Sequence, residues 1–196
     1  MIRPLRVLQR ILRGEDVVII TQSRESWEAQ FKRGLWDRLA DRQPNTEYIA
    51  KYIAEKGFKK VLDVGCGNGG LAKSLLVICP EVEITGIDIS ETAIFQASKI
   101  TSRAHWIVDD ITRPPIDRGQ FDIIVFNEVL YYVDIGKVLP QYRPLLKSEG
   151  EVIISIVRSW RSIFLIWRIR AFVKIVRHNK ISSKLNSWDI WTVNFI

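Results

Sequence analysis

The stretch VLDVGCGNGG, residues 61–70, places Gly65, Gly67, Gly69 and Gly70 within six positions, with Asp63 two residues ahead of the first glycine. A plain turn needs one or two glycines, whereas four let the backbone pass close to a ligand. Gly65, Gly67 and Gly70 satisfy the G-x-G-x-x-G spacing, in which backbone N–H groups and a helix N-terminus hold a pyrophosphate. Asp63, Gly65, Gly67 and Gly69 satisfy a second spacing, D-x-G-x-G-x-G. The glycines alone do not separate the two.

Asp63 does. A carboxylate at that position would lie near a doubly negative pyrophosphate and repel it. S-adenosylmethionine (SAM) has no phosphate and carries two cations, an amino group and a sulfonium. The expected cofactor is therefore SAM, and a nicotinamide dehydrogenase is excluded. Further carboxylates fit a nucleoside. Asp88 ends GIDIS, where it can accept both ribose hydroxyls with Ile89 against the adenine, or else cap the following helix in place of Ser90. Asp109 and Asp110 end HWIVDD, where one carboxylate can accept the adenine amino group while the other stays solvated.

The acceptor side falls to NEVLYYV, residues 127–133. Glu128 could hold or deprotonate an acceptor, and Tyr131 and Tyr132 could shape its pocket. The plainer alternatives are a Glu128 that faces water or caps the next helix, and tyrosines that pack in the core. FNEV lacks the N/D-P-P-Y/F signature that holds the planar nitrogen of adenine or of a glutamine amide, which argues against those acceptors.

The elements that must position these residues alternate. The runs 61–64, 83–90, 105–110, 121–129 and 151–157 read as strands, the fourth fully apolar at its centre as buried parallel strands are. Helices read over 71–79, 91–100 and 134–147, and ahead of them over 23–39 and 46–57, with Gly57 at a C-terminal cap position. The last forty residues read as a helix over 159–170 and closing strands over 171–182 and 187–196. The expected fold class is α/β, a doubly wound, mostly parallel, Rossmann-like sheet closed by a C-terminal antiparallel hairpin.

Composition sets bounds. With 196 residues, 47% hydrophobic and 26% charged, the chain suits one globular domain. The two cysteines, Cys66 and Cys79, have no metal-ligand spacing, so neither a metal site nor a disulfide framework is expected, and the cytoplasm is the default compartment. The N-terminal MIRPLRVLQRILRG reads as a short basic helix without a signal peptide's apolar core. The net charge of +7 is local: between Val152 and Trp188 there are eight Lys or Arg and no acidic residue, and the remainder is nearly neutral. That argues against a protein that coats nucleic acid.

DVGCGNGG, GIDIS, VDDI, QFDIIVFNEVLYYV and LLKSEGEVIIS, in this order and spacing, resemble the class I SAM-dependent methyltransferases. The likeness covers roughly residues 23–196, and NEVLYYV is most similar to a small-molecule branch that includes the nodulation N-methyltransferases. The resemblance implies that Gly65, Gly67, Asp88, Asp110 and a backbone group near Asn127 contact SAM. Asp110 is favoured over Asp109 because DIT matches the family's Asp-Ile-Thr turn. Cys66, Gly69 and Ile111 join the cofactor candidates as members of the same loops. WEAQFKRGLWDRL is similar to a segment that folds over the cofactor in such enzymes, so 23–57 is expected to cover the site, with 1–22 a basic extension and 58–196 the core. The expected function is methyl transfer to N or O of a small-molecule acceptor, in a biosynthetic or tailoring pathway. The alternatives are a peripheral-membrane enzyme with a lipid-like acceptor and a non-catalytic SAM-binding protein. The membrane alternative takes 159–180 as one amphipathic helix, with Leu165, Ile169, Phe172 and Val176 on one face. No oligomeric state is implied.

Overall fold

The computed structural model describes residues 22–37, 41–114 and 120–196. The basic helix expected near the N-terminus lies outside them. The first described helix, α1 (Arg24–Lys32), starts where Ser23 accepts a hydrogen bond from the Ser26 N–H at 3.2 Å. It ends earlier than the apolar pattern suggests, because the chain turns through Gly34 at φ 68°. Helix α2 (Pro44–Lys56) has proline at its first position, where no N–H is needed, and closes on Gly57 in the left-handed conformation.

From Lys60 the pattern alternates: β1 (Lys60–Val64), α3 (Gly70–Ile78), β2 (Glu83–Asp88), α4 (Glu91–Ser98), β3 (His105–Val108), β4 (Phe121–Asn127), α5 (Ile135–Tyr142), β5 (Leu146–Val157), α6 (Trp160–Ile169), β6 (Val173–Ser182) and β7 (Ser187–Phe195). The strands form one seven-stranded sheet in the order β3-β2-β1-β4-β5-β7-β6. The first five pair in parallel, and β7 runs antiparallel to both β5 and β6. The chain winds outward from β1 to β3 and then restarts at β4 on the other side of β1. The C-terminal ends of β1 and β4 therefore flank the switch point where such sheets bind ligands.

Alternate strand residues face two cores. Leu62, Val64, Ile124, Phe126, Ile154 and Trp191 pack with α5 and α6; Val61, Ile123, Val125, Ile153 and Ile190 pack with α2 and α3. Fully buried side chains such as Ile49, Ile53, Ile124 and Leu139 each contribute about 1.5–3 kcal/mol. These two layers hold the strand ends in place.

At the C-terminus the hairpin reading holds and the continuous-helix reading fails. Helix α6 stops at Ile169, and β6 pairs with β7 from Val173 to Ser182. The sheet needs that edge hairpin, so Leu165 and Ile169 join the core through a short helix while Val176 stands exposed on a strand irregularity. No helix among the described residues is long and apolar enough to cross a membrane.

Candidate functional site

The glycine loop leaves β1 sharply. Gly65, Gly67 and Gly69 have φ of 71°, 52° and 85°, values that residues with a Cβ rarely adopt. The N–H groups of Gly65 and Cys66 donate to the Ile87 carbonyl at 2.8 and 2.9 Å, tying the loop to β2. A Cβ on Gly65 would lie 2.4 Å from Val129 Cγ2, so the loop after β4 packs directly on it. At Gly67 the nearest atom to a Cβ would be Phe31 Cζ, at 3.7 Å. At Gly65 both packing and positive φ exclude a side chain, whereas at Gly67 only the positive φ does.

Two buried carboxylates stand under the loop. Asp63 is 2% exposed and accepts no hydrogen bond from the described residues; burial, and then the neighbouring Asp88, push its carboxyl up to about 7. A cation beside it would relieve both effects. Asp88 accepts from the Gly67 N–H at 2.9 Å through Oδ2 and from the Ser90 N–H at 3.0 Å through Oδ1, while burial raises its pKa. Asp88 does not displace Ser90 as the cap: Ser90 Oγ accepts from the Ala93 N–H at 3.1 Å. Ile89 lies between them. Burial and the same two carboxylates hold the Cys66 thiol far above its ordinary range, so it stays protonated and unreactive.

Beyond β3, Asp109 Oδ1 accepts from the Asp110 N–H at 2.6 Å, and Asp110 Oδ1 accepts from the Thr112 N–H at 2.9 Å. Each carboxylate keeps a second oxygen without a hydrogen bond from the described residues. Ile111, the next residue, is buried in the core, and its carbonyl accepts from the Tyr142 hydroxyl at 2.9 Å.

Helix α1 lies over the loop. Trp27 meets Tyr132 edge-on with centroids 4.8 Å apart, and Trp36 sits near both Trp27 and Phe31. Asn68 Nδ2 donates to the Trp36 carbonyl at 3.0 Å. Glu28 fastens the helix at its outer side. It accepts from Ser90 Oγ at 2.6 Å, Thr92 Oγ1 at 2.5 Å and the Thr92 N–H at 3.2 Å, which holds its carboxyl down at about 2.

On the β4 side, Asn45 Nδ2 donates to Asn127 Oδ1 at 2.9 Å, joining α2 to the strand end. Glu128 follows at φ 59°, the one non-glycine residue with positive φ among those described. Its Oε2 accepts from the Tyr131 hydroxyl at 3.2 Å, while its Oε1 is buried and meets no partner among the described residues. Burial pushes the Glu128 carboxyl up to about 8 and raises Tyr131 further above its ordinary range. Glu128 does not cap the next helix; Asp134 does, accepting from the Gly136 N–H at 3.1 Å. Tyr131 and Tyr132 are partly buried and touch each other, centroids 5.8 Å apart.

Among the described residues, three buried side-chain polar atoms lack a partner: Trp36 Nε1, Asn45 Oδ1 and Glu128 Oε1. Trp36 bonds the glycine loop, Asn45 bonds the end of β4, and Glu128 follows that end directly. One edge of the sheet thus carries an unspent donor, two unspent acceptors and the unpaired Asp63. Sequence reading missed Asn45 and Glu28. Asn45 looks like an ordinary helix-start residue and Glu28 like half of an i,i+4 pair with Lys32, because their partners are distant in sequence.

The family described as a methyltransferase domain matches residues 55–191. A ubiquinone biosynthesis O-methyltransferase of Bradyrhizobium diazoefficiens is 33% identical over 114 residues, 56% of this chain and 44% of that protein. Ribosomal RNA small subunit methyltransferase C of Buchnera aphidicola is 28% identical over 137 residues, 63% of this chain and 42% of that one. The chain thus spans less than half the length of either curated relative. Among solved structures, the N-methyltransferase NodS of Bradyrhizobium japonicum, in complex with S-adenosylhomocysteine, has the same fold. It aligns at a TM-score of 0.67 and 19% identity, over 85% of this chain and 97% of that one.

Proposed function

The chain belongs to the methyltransferase-domain family and is a SAM-dependent enzyme, and from this premise we propose that it methylates a nitrogen or oxygen of a small-molecule acceptor held against Glu128. When bound, SAM supplies an electrophilic methyl group on a sulfonium; the protein's part is to align, desolvate and manage protons. The loop fits it. Gly65, Cys66, Gly67 and Gly69 give a close backbone path with no phosphate to neutralise, and Asp63 offers an unpaired buried carboxylate to a cation. Asp88 and Ile89 serve the ribose and adenine, Asp109, Asp110 and Ile111 border the base, and Asn127 marks the turn toward the acceptor. Asp88 performs two tasks at once, since each of its oxygens has a second lone pair beyond the one that clamps Gly67 or Ser90.

Glu128 is the observation that carries the acceptor reading. Positive φ in a residue with a Cβ costs about 1–3 kcal/mol, and a buried half-satisfied carboxylate adds to that. The fold keeps both at the switch point of the sheet. There Glu128 Oε1 is free to take a proton from an incoming amine or hydroxyl, and Tyr131 orients the other oxygen. Trp27, Tyr131 and Tyr132 exclude water from the same place.

The relatives act on quinone precursors, RNA and other acceptors by their names, so the acceptor class rests on this geometry and on the absent N/D-P-P-Y/F signature. A lipid-like acceptor is the second reading; it is favoured by the acid-free, cation-rich segment 158–184 and the exposed Trp167. Calorimetric titration with SAM tests the cofactor half: micromolar-range binding, weakened about 10- to 100-fold in Asp63→Ala. An acceptor screen that follows S-adenosylhomocysteine release tests the other half. Turnover that survives intact in Glu128→Gln would remove Glu128 from the reaction.

A further inference from the structure

Past the end of β5 the chain makes a second concavity on the same edge of the sheet. Because β7 runs antiparallel to β5, the β6–β7 turn returns to the C-terminal end of β5: Val157 pairs with Trp188, and the Arg158 N–H donates to the Ser187 carbonyl at 2.7 Å. A pocket of about 430 Å³ opens there, lined by Val157, Arg158, Ser183, Lys184, Asn186 and Ser187. Its lining holds two cations, two hydroxyls and a carboxamide, and no carboxylate.

The cations are held differently. Asp189, 7% exposed, forms an ion pair with the Nε of Arg158 at 3.3 Å and a hydrogen bond with His178 Nε2 at 2.8 Å. This grips one side of the guanidinium and leaves its two terminal nitrogens without a partner among the described residues. Lys184 also lacks one, and it projects from an ordered turn. Ser183 Oγ accepts from the N–H groups of Leu185 at 3.2 Å and Asn186 at 3.1 Å, and the Ser183 N–H donates to the Asn186 carbonyl at 2.7 Å. The Arg158 guanidinium, the Lys184 ammonium and the Asn186 carboxamide line this one pocket, a donor set that suits an oxyanion. The Ser183 and Ser187 hydroxyls are engaged within the turn, with the Asn186 carbonyl at 3.2 Å and Ser182 Oγ at 2.9 Å.

The pocket also touches the acceptor side. Val157 is part of its wall, and the Val157 carbonyl accepts at 3.3 Å from the Tyr131 hydroxyl that bonds Glu128. We infer that this pocket receives a phosphate group of the methyl acceptor, so that the enzyme selects phosphorylated acceptors. Two cations match a group that carries up to two negative charges, and the eight Lys or Arg of the acid-free segment raise the local concentration of such acceptors. The inference rests on the reading of Glu128 as the acceptor-side residue. The phosphate could belong to a soluble ester or to a lipid headgroup. Leu185, 91% exposed beside Lys184, leaves the turn free to meet either source.

The test uses the full chain with two probes: inorganic pyrophosphate by calorimetry, and flotation with vesicles of phosphatidylcholine and phosphatidylglycerol at about 7:3. Lys184→Ala removes an exposed side chain without a partner among the described residues, so it leaves the fold intact even where Arg158→Ala, which takes from Asp189 one of its two partners, does not. The expected result is saturable binding that weakens about three- to tenfold in Lys184→Ala and stays unchanged in Lys174→Ala, an exposed cation at the far end of β6. SAM affinity should stay within about twofold of wild type throughout. Pyrophosphate binding with this pattern supports a soluble ester; vesicle binding with the same pattern and no pyrophosphate binding supports a headgroup. Saturation by neither probe, or equal loss in Lys174→Ala, overturns the site. If the pattern holds while Glu128→Gln turns over normally, the anion site stands and its link to the acceptor is overturned.

Discussion

Strand β4 carries a carboxylate near each end, and the two live in opposite circumstances. Asp122, at the N-terminal edge, accepts from the Lys59 and Lys60 N–H groups, both at 2.8 Å, and from Lys147 Nζ at 2.6 Å. Although burial opposes this, the Lys147 ammonium and the two N–H groups hold its carboxyl below the usual range. Glu128, just past the C-terminal end, has one hydroxyl partner, one orphaned oxygen, a strained backbone and a carboxyl raised to about 8. The same strand and the same chemical group give one satisfied ion and one unsatisfied acid. A carboxylate kept for structure is saturated by its own chain, and one kept for a ligand is left short. The asymmetry between the two edges of this sheet supports the proposed site without appeal to any motif.

The largest expected effect tests the costly end. Glu128→Gln keeps the shape and removes the proton acceptor, so methyl transfer, read as S-adenosylhomocysteine release, should fall about 10²–10⁴-fold. Its stability should move the other way. A carboxyl whose folded-state pKa is raised from 4.5 to about 8 makes the folded state bind more protons than the unfolded one in that window. The Glu128 contribution therefore lowers stability as pH rises from about 4.5 to about 8, and Glu128→Gln should flatten that fall in denaturant titrations across the same range. A variant equally inactive but less stable at pH 8 would make Glu128 a structural residue and break the comparison.

Asp122→Ala tests the satisfied end. It removes a charged acceptor of three hydrogen bonds at a mostly buried position, and should cost about 2–3 kcal/mol, or about 4–12 °C in Tm. Its SAM affinity should match wild type, because the substitution sits at the far edge of the sheet. Asp63→Ala should show the inverse: an apo protein at least as stable as wild type near pH 8, where a buried acid raised to about 7 is a burden, and SAM affinity reduced about 10- to 100-fold.

These contrasts also mark what the sequence could and could not disclose. Alternating apolar strands and helices made the parallel sheet and its closing hairpin readable, because hydrophobic period is a local signal. Asp63 was readable for the same reason, as a charge misplaced for a phosphate loop within a few residues. The strain at Glu128 was not readable: NEVLYY contains no glycine to announce a positive φ, which arises only where β4 meets Val129 packed on Gly65. The Asn45–Asn127 bond joins residues 82 positions apart, and no periodicity encodes such a pairing. Helix α1 also ended earlier than its apolar spacing implied, since Trp36 follows the Gly34 turn and joins the aromatic cover from outside the helix.

The smallest effect concerns a carboxylate that lies between these extremes. Glu28 is saturated like Asp122, yet its partners Ser90 and Thr92 belong to the core while Glu28 belongs to the covering helix. Its hydrogen bonds therefore stabilise closure rather than the sheet. Glu28→Gln keeps one acceptor oxygen and should weaken SAM binding only about three- to tenfold, chiefly by faster dissociation, with no change in the Tm of the apo core. The pH sign is opposite to that of Glu128. A carboxyl held down at about 2 contributes to closure fully above its ordinary value of 4.5, and the contribution is lost as pH falls toward 2. The SAM dissociation rate in wild type should therefore rise on acidification below about pH 4.5, with a shallower rise in Glu28→Gln. An unchanged dissociation rate in the variant at neutral pH would mean that the aromatic contacts of Trp27 and Phe31 hold the cover closed without the clasp.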